Sequence, residues 1–181
     1  DTVESDSYGN YYDQLAEYPV YAAVSVETDE NGLLSGETKL ASSEKHEDTD
    51  LPVASATVPA GAQLKENASQ LELVIKKAEN PANFTADTTQ NEPKTLDISM
   101  KGLAEDNDKL IKVEFFIEKG LSLLEINHNG RRMSRCSALK WLDADQEFYY
   151  DSATGLVTML TKTFSPFTYT SDKFYWDDKK A

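Results

Sequence analysis

Hydrophobic residues recur at every second position through most of this chain, the spacing that sends alternate side chains to one face of a β-strand. Val20, Ala22, Val24 and Val26 open the series within Tyr18–Glu27. Leu71, Leu73 and Ile75 continue it across Gln70–Lys77, and Leu96, Ile98 and Met100 across Thr95–Lys101. Ile111, Val113, Phe115 and Ile117 follow, then Leu124 with Ile126. Val53–Val58, Glu147–Asp151, Leu156–Thr163 and Pro166–Thr170 complete the set of predicted strands.

Turn chemistry separates these runs. Asn31-Gly32 predicts a turn into a partner strand over Leu34–Leu40, and Pro59-Ala-Gly61 ends the strand before it. His128-Asn129-Gly130 predicts a tight hairpin, because Asn-Gly accepts the positive φ that such a turn requires. Ser152–Gly155 predicts another, while residues 139–146 have room for one helical turn. No segment keeps helical periodicity beyond two turns. Short alternating strands with a turn roughly every 8–12 residues predict an all-β protein, an antiparallel β-sandwich.

Composition shifts suggest how the chain is organised. Residues 1–18 are acidic and rich in tyrosine, and residues 41–50 are polar and featureless. The expected division is an N-terminal extension over 1–50, the main sandwich over 51–173, and a tail or linker over 174–181. The two strands of the extension cannot stand alone in water, so they are expected to pack on the main body. The chain opens at Asp1 with neither an initiator Met nor a signal segment, which suggests a processed or excised piece.

Charge narrows the partners. Thirty-two acidic against 18 basic residues give a formal net charge of −14. Such a surface repels phosphate backbones and anionic lipids and disfavours loose self-association. No apolar run approaches the ~18 residues of a membrane span. The expectations are a monomer with no nucleic-acid partner and no membrane insertion. The single cysteine, Cys136, excludes an intramolecular disulfide, which alone would suggest a reducing compartment.

Catalytic chemistry is sparse. The chain lacks GxSxG, HExxH, P-loop and GxGxxG motifs, and its two histidines with one cysteine cannot form the usual zinc set. No enzyme activity and no cofactor are expected. His128, beside a turn, reads as a solvated surface group. Two acidic clusters offer the oxygen ligands that calcium needs, through Asp106 and Asp108 in one and Asp143 and Asp145 in the other. Neither has EF-hand spacing, and solvated turns explain both. Trp141, Tyr175 and Trp176 are candidates for an aromatic platform that binds a sugar. Tyr149 and Tyr150 must face opposite sides of a strand, so one of them belongs in the core. Asn67-Ala-Ser69 and Asn83-Phe-Thr85 are formal glycosylation acceptors.

Three segments together carry a resemblance. Ala56-Thr-Val-Pro-Ala-Gly-Ala-Gln-Leu64 precedes the strand Leu71-Glu-Leu-Val-Ile75, and Glu147-Phe-Tyr-Tyr-Asp-Ser-Ala-Thr-Gly-Leu-Val-Thr158 leads to Thr163-Phe-Ser-Pro-Phe167. Over residues 51–170 this resembles ZU5-type β-sandwich modules, particularly ZU5-like repeats in large surface proteins of gut Firmicutes. The resemblance implies an extracellular, secreted or cell-wall-attached location. It also implies a non-catalytic structural or spacer module with neighbouring domains as partners. The alternative is a binding module for a host protein or glycan.

Some such modules cleave themselves at His-Phe-Ser, where the histidine takes the proton of the attacking serine. Here the matching positions are Thr163, Phe164 and Ser165, so the nucleophile is kept and the base is lost. Losing a general base costs on the order of 10²–10⁴ in rate. The Phe164–Ser165 bond is expected to stay intact unless another base, such as His128, lies near. Packing of Phe164 and Phe167 in the core explains the same residues.

Overall fold

A computed structural model describes residues 12, 15, 19–80, 93–121, 124–137 and 140–171. Thirteen strands are present among them: β1 (Val20–Ser25), β2 (Thr38–Ala41), β3 (Ala54–Val58), β4 (Gln70–Ala78), β5 (Lys94–Lys101), β6 (Ile111–Phe116), β7 (Leu124–His128), β8 (Arg131–Arg132), β9 (Ser134–Ser137), β10 (Lys140–Leu142), β11 (Gln146–Asp151), β12 (Leu156–Thr161) and β13 (Pro166–Ser171). They form two antiparallel sheets, one ordered β1-β4-β5-β13-β7-β8 and the other β2-β3-β6-β12-β11-β10-β9. The protein is an all-β sandwich.

The alternation in the sequence decides which side chains meet between the sheets. Leu71, Leu73 and Ile75 of β4 face inward with Leu96, Ile98 and Met100 of β5. From the other sheet come Ile111, Val113 and Phe115 of β6, Phe148 and Tyr150 of β11, and Val157 and Met159 of β12. Side chains of this size each gain roughly 1.5–3 kcal/mol on full burial, so the interface supplies most of the drive to fold.

The chain crosses between sheets after β1, β3, β5, β6, β8 and β12. The strand expected over 34–40 is therefore no hairpin partner of β1. Leu33 and Leu34 are instead taken up in isolated bridges to Gln63 and Thr28, and β2 joins β3 in the opposite sheet. Strands from residues 20–41 are thus woven into both sheets. Residues 139–146, read as room for a helical turn, instead contain β10 and the turn into β11. β9 was not foreseen, because Ser134–Ser137 has no apolar alternation. The expected tail over 174–181 and almost all of 1–18 lie outside the described residues.

Turn chemistry is where the sequence placed it. Asn129 and Gly130 have φ of 56° and 73°, and β7 pairs with β8 across them. Gly155, at φ 88°, closes the β11–β12 hairpin against the main chain that leaves β6. A Cβ there would be driven into the carbonyl oxygen of Ile117. Gly155→Ala should therefore cost about 2 kcal/mol or more, from backbone strain and the displaced neighbour. Gly36→Ala, with open space around the new carbon, should stay within about 0.5 kcal/mol. Urea unfolding midpoints of the two variants check this difference.

Candidate functional site

Two buried polar clusters lie at opposite ends of β12, the middle strand of its sheet. The first surrounds His128. This residue shares its strand face with Leu124 and Ile126, so the alternation carries it into the core, where it is 0% exposed. The expectation of a solvated turn histidine is thereby overturned: parity along β7 outweighs proximity to the turn.

Gln146, first residue of β11, points inward on the same parity as Phe148 and Tyr150. Its Nε2 donates to the His128 carbonyl at 3.2 Å and to Met133 Sδ at 3.1 Å, which turns Oε1 toward the imidazole. His128 Nδ1 lies 2.7 Å from that oxygen, and Asn129 Nδ2 donates to it at 2.8 Å. Nδ1 therefore carries the proton in the neutral ring. Nε2 is left with a bare lone pair and no hydrogen-bond partner.

Ser165 lies beside this ring. Its Oγ accepts the Asn129 N–H at 2.8 Å and donates to the Pro166 carbonyl at 3.3 Å. Thr161 Oγ1 donates to the Thr163 carbonyl at 2.8 Å, fixing the link from β12 into β13. Phe164 is half-buried and packs on the core, while Phe167 is fully buried. The Ser165 hydroxyl thus spends its proton on a main-chain carbonyl, and the base that sequence matching placed at 163 is a threonine. The imidazole is near, but its Nε2 makes no hydrogen bond to the serine.

The second cluster surrounds Glu118, a 9% exposed carboxylate just past β6. Tyr169 of β13 donates its hydroxyl to Oε1 at 2.5 Å, and Lys94 of β5 sets its Nζ against Oε2. The Tyr150 hydroxyl donates to the Glu118 carbonyl at 2.7 Å and accepts the Leu121 N–H at 3.1 Å. Tyr12 packs edge-on to Tyr169, and its hydroxyl accepts the Thr95 N–H. Burial, reinforced by the Glu118 charge, pushes the Tyr169 phenol well above its usual pKa. Burial likewise pushes Tyr150 up to about 12. Both remain protonated donors. Lys94 and Glu118 escaped sequence reasoning, although Lys94 shares the inward parity of Leu96 and Ile98.

Other predicted site residues are dispersed. Trp141 is 1% exposed and part of the core, so it cannot belong to an exposed aromatic platform. Tyr175 and Trp176 lie outside the described residues. Tyr150 is the buried member of its pair, and Tyr149 is half-exposed. Asp106 and Asp108 flank Asn107, which is buried and ties the loop down. Its Oδ1 accepts the Gln63 N–H and its Nδ2 donates to the carbonyls of Lys109 and Lys162. Asp143 and Asp145 are paired with Arg131, and Asp145 also with Lys162. Among the described residues, no three His, Cys, Asp or Glu side chains converge to hold a metal ion. No protein-family model, no curated protein and no solved structure matches the chain. The ZU5 resemblance rests on the segments quoted above alone.

Burial holds the His128 pKa down at about 4, below the ordinary 6.5, while the Gln146 hydrogen bond and the adjacent Ser165 main chain pull weakly the other way. The folded state therefore resists protonation that the unfolded state accepts. Its stabilising share is fully present above pH 6.5 and is lost as pH falls toward 4, a swing of about 3 kcal/mol. Unfolding free energies measured from pH 7 to 4 should fall more steeply for the wild type than for His128→Phe. Parallel curves would refute this assignment.

Proposed function

We propose that this chain is a non-catalytic structural module of a large exported bacterial surface protein or secreted multidomain enzyme, with neighbouring domains of the same parent as its partners. One observation carries the reading: among the described residues, those that the sequence offers for proton transfer or nucleophilic attack make contacts that fasten the fold. His128 and Gln146 join the two sheets, and Ser165 anchors the β7–β8 turn to the start of β13. Glu118 joins the sheets at the other end through Tyr169 and Lys94. A hydroxyl or imidazole held this way adds rigidity and is poorly placed to meet a substrate.

Strand geometry adds a second support. Val20 pairs with Ile75, Ile75 with Ile98, and Asp97 with Pro166. β1 and β13 therefore start at one level in the middle of the six-stranded sheet and run in opposite directions, so the chain enters β1 from the side toward which β13 leaves. A module joined to its parent through those two strands projects its opposite end into solvent. It acts as a side-mounted body rather than a link that adds its own length.

A binding module for a host protein or glycan is the second reading. The solvent-facing loops opposite the β1 and β13 ends are its available surface. Among the described residues, the exposed large apolar side chains Tyr21, Leu51, Leu110 and Leu142 sit on separate elements and form no single patch. Extracellular location and ZU5-like identity follow from the sequence resemblance and are proposed on that basis.

Two experiments test the structural reading. A screen of the folded chain against a glycan array and a panel of secreted host proteins should be silent. A saturable hit would move it to the binding class. Prolonged incubation at neutral pH should leave the backbone whole at Phe164–Ser165, because the serine lacks an engaged base. Two fragments ending and starting there would show that the module processes itself.

A further inference from the structure

Lysine is an uncommon choice at a core-facing strand position, because its ammonium loses water and needs compensation. Lys94 opens β5 on the same parity as Leu96 and Ile98, which are buried in the core. Its side chain is only 33% exposed and its Nζ rests against Oε2 of Glu118, whose own side chain is 12% exposed. The two residues come from opposite sheets: β5 in one, the main chain just past β6 in the other.

The other carboxylate oxygen is also engaged. Tyr169 donates its hydroxyl to Oε1 at 2.5 Å, and Tyr12 lays its ring 5.5 Å from the Lys94 Nζ. The main chain at Glu118 is fixed by the Tyr150 hydroxyl, and Lys119 is held by Asp48 at 3.3 Å. The Lys94 nitrogen therefore sits on one side of a carboxyl group whose far oxygen receives a hydrogen bond from a neutral donor. The rings of Tyr12 and Tyr169 flank the pair, with Glu118 largely buried and Lys94 one-third exposed. Held reactants of this kind gain the large effective concentrations of intramolecular reactions.

We propose that Lys94 and Glu118 condense to an intramolecular amide that covalently joins the two sheets. In the first step one proton passes from Nζ to Oε2 across the contact, giving a neutral amine and a neutral acid. Nζ attacks Cδ, and Tyr169 stabilises the charge that develops on Oε1. The Nζ–Cδ bond forms and the Cδ–Oε2 bond breaks. A second proton passes from Nζ to the departing oxygen, which leaves as water. No oxidant, reductant or cofactor takes part. The link would close the sandwich at the end where β5 begins and β13 ends, and it does not depend on the role proposed for the module.

Mass spectrometry of the full chain decides the matter. The folded wild type should be one water lighter than its sequence. After protease digestion, a branched peptide should join the segment containing Lys94 to the one containing Glu118. Lys94→Met should restore the full sequence mass. A folded wild type at its full sequence mass would reduce the contact to an ion pair and overturn the proposal. So would a missing water that persists in Lys94→Met, or one that maps to other residues.

Discussion

The ring of Phe167 meets Phe115 edge-on at 5.2 Å and Phe148 at 5.4 Å, and through these contacts the six-stranded sheet is seated on the seven-stranded one. Its neighbours along the same face extend the contact: Tyr169 at 5.9 Å and the imidazole of His128 at 6.4 Å. Phe167 lies in β13 and Phe115 and Phe148 in β6 and β11, so the strands that flank and form the middle of each sheet are those the aromatic contacts join. A sheet with one apolar face must bury it against another layer. Every other feature of the molecule is arranged around keeping these two faces together.

Polar groups that enter that interior are tied into two clusters, with the Nε2 of His128 left as an unpartnered atom. At one end of β12, Gln146 spends both amide groups on His128, Asn129 and Met133. At the other, Glu118 takes a phenol and an ammonium on its two oxygens. Removing one partner from such a group leaves the other buried and unpaired, at a cost of about 1–3 kcal/mol or more for a charge. These clusters therefore specify how the sheets meet as well as adding stability. Among the described residues they also engage His128, Gln146, Glu118 and Lys94 in holding the sheets together, which supports the structural reading.

Much of this architecture was legible because β-strand parity is a local property. Leu96, Ile98 and Met100, or Ile111, Val113 and Phe115, declare an inward face without knowledge of their partners. Sheet membership is not local. β1 and β2 read as a hairpin, yet they part into opposite sheets because Leu33 is claimed by a bridge to Gln63 and β2 by β3. β9 and β10 carry no legible alternation, and β10 is too short to show a period that would place Trp141 in the core. His128 could have been placed from Leu124 and Ile126, and Gln146 from Phe148, had parity been extended through polar residues. The Lys94–Glu118 contact joins distant segments, and nothing in either segment alone announces it.

The two sheets, including the strands from residues 20–41, stand or fall together. Hydrogen exchange read by mass spectrometry across a denaturant series tests it most directly. Amides of β4 and β5 in one sheet and of β6 and β12 in the other should converge on one global unfolding free energy. Exchange that opens one sheet at distinctly lower free energy than the other would show that the sheets unfold separately.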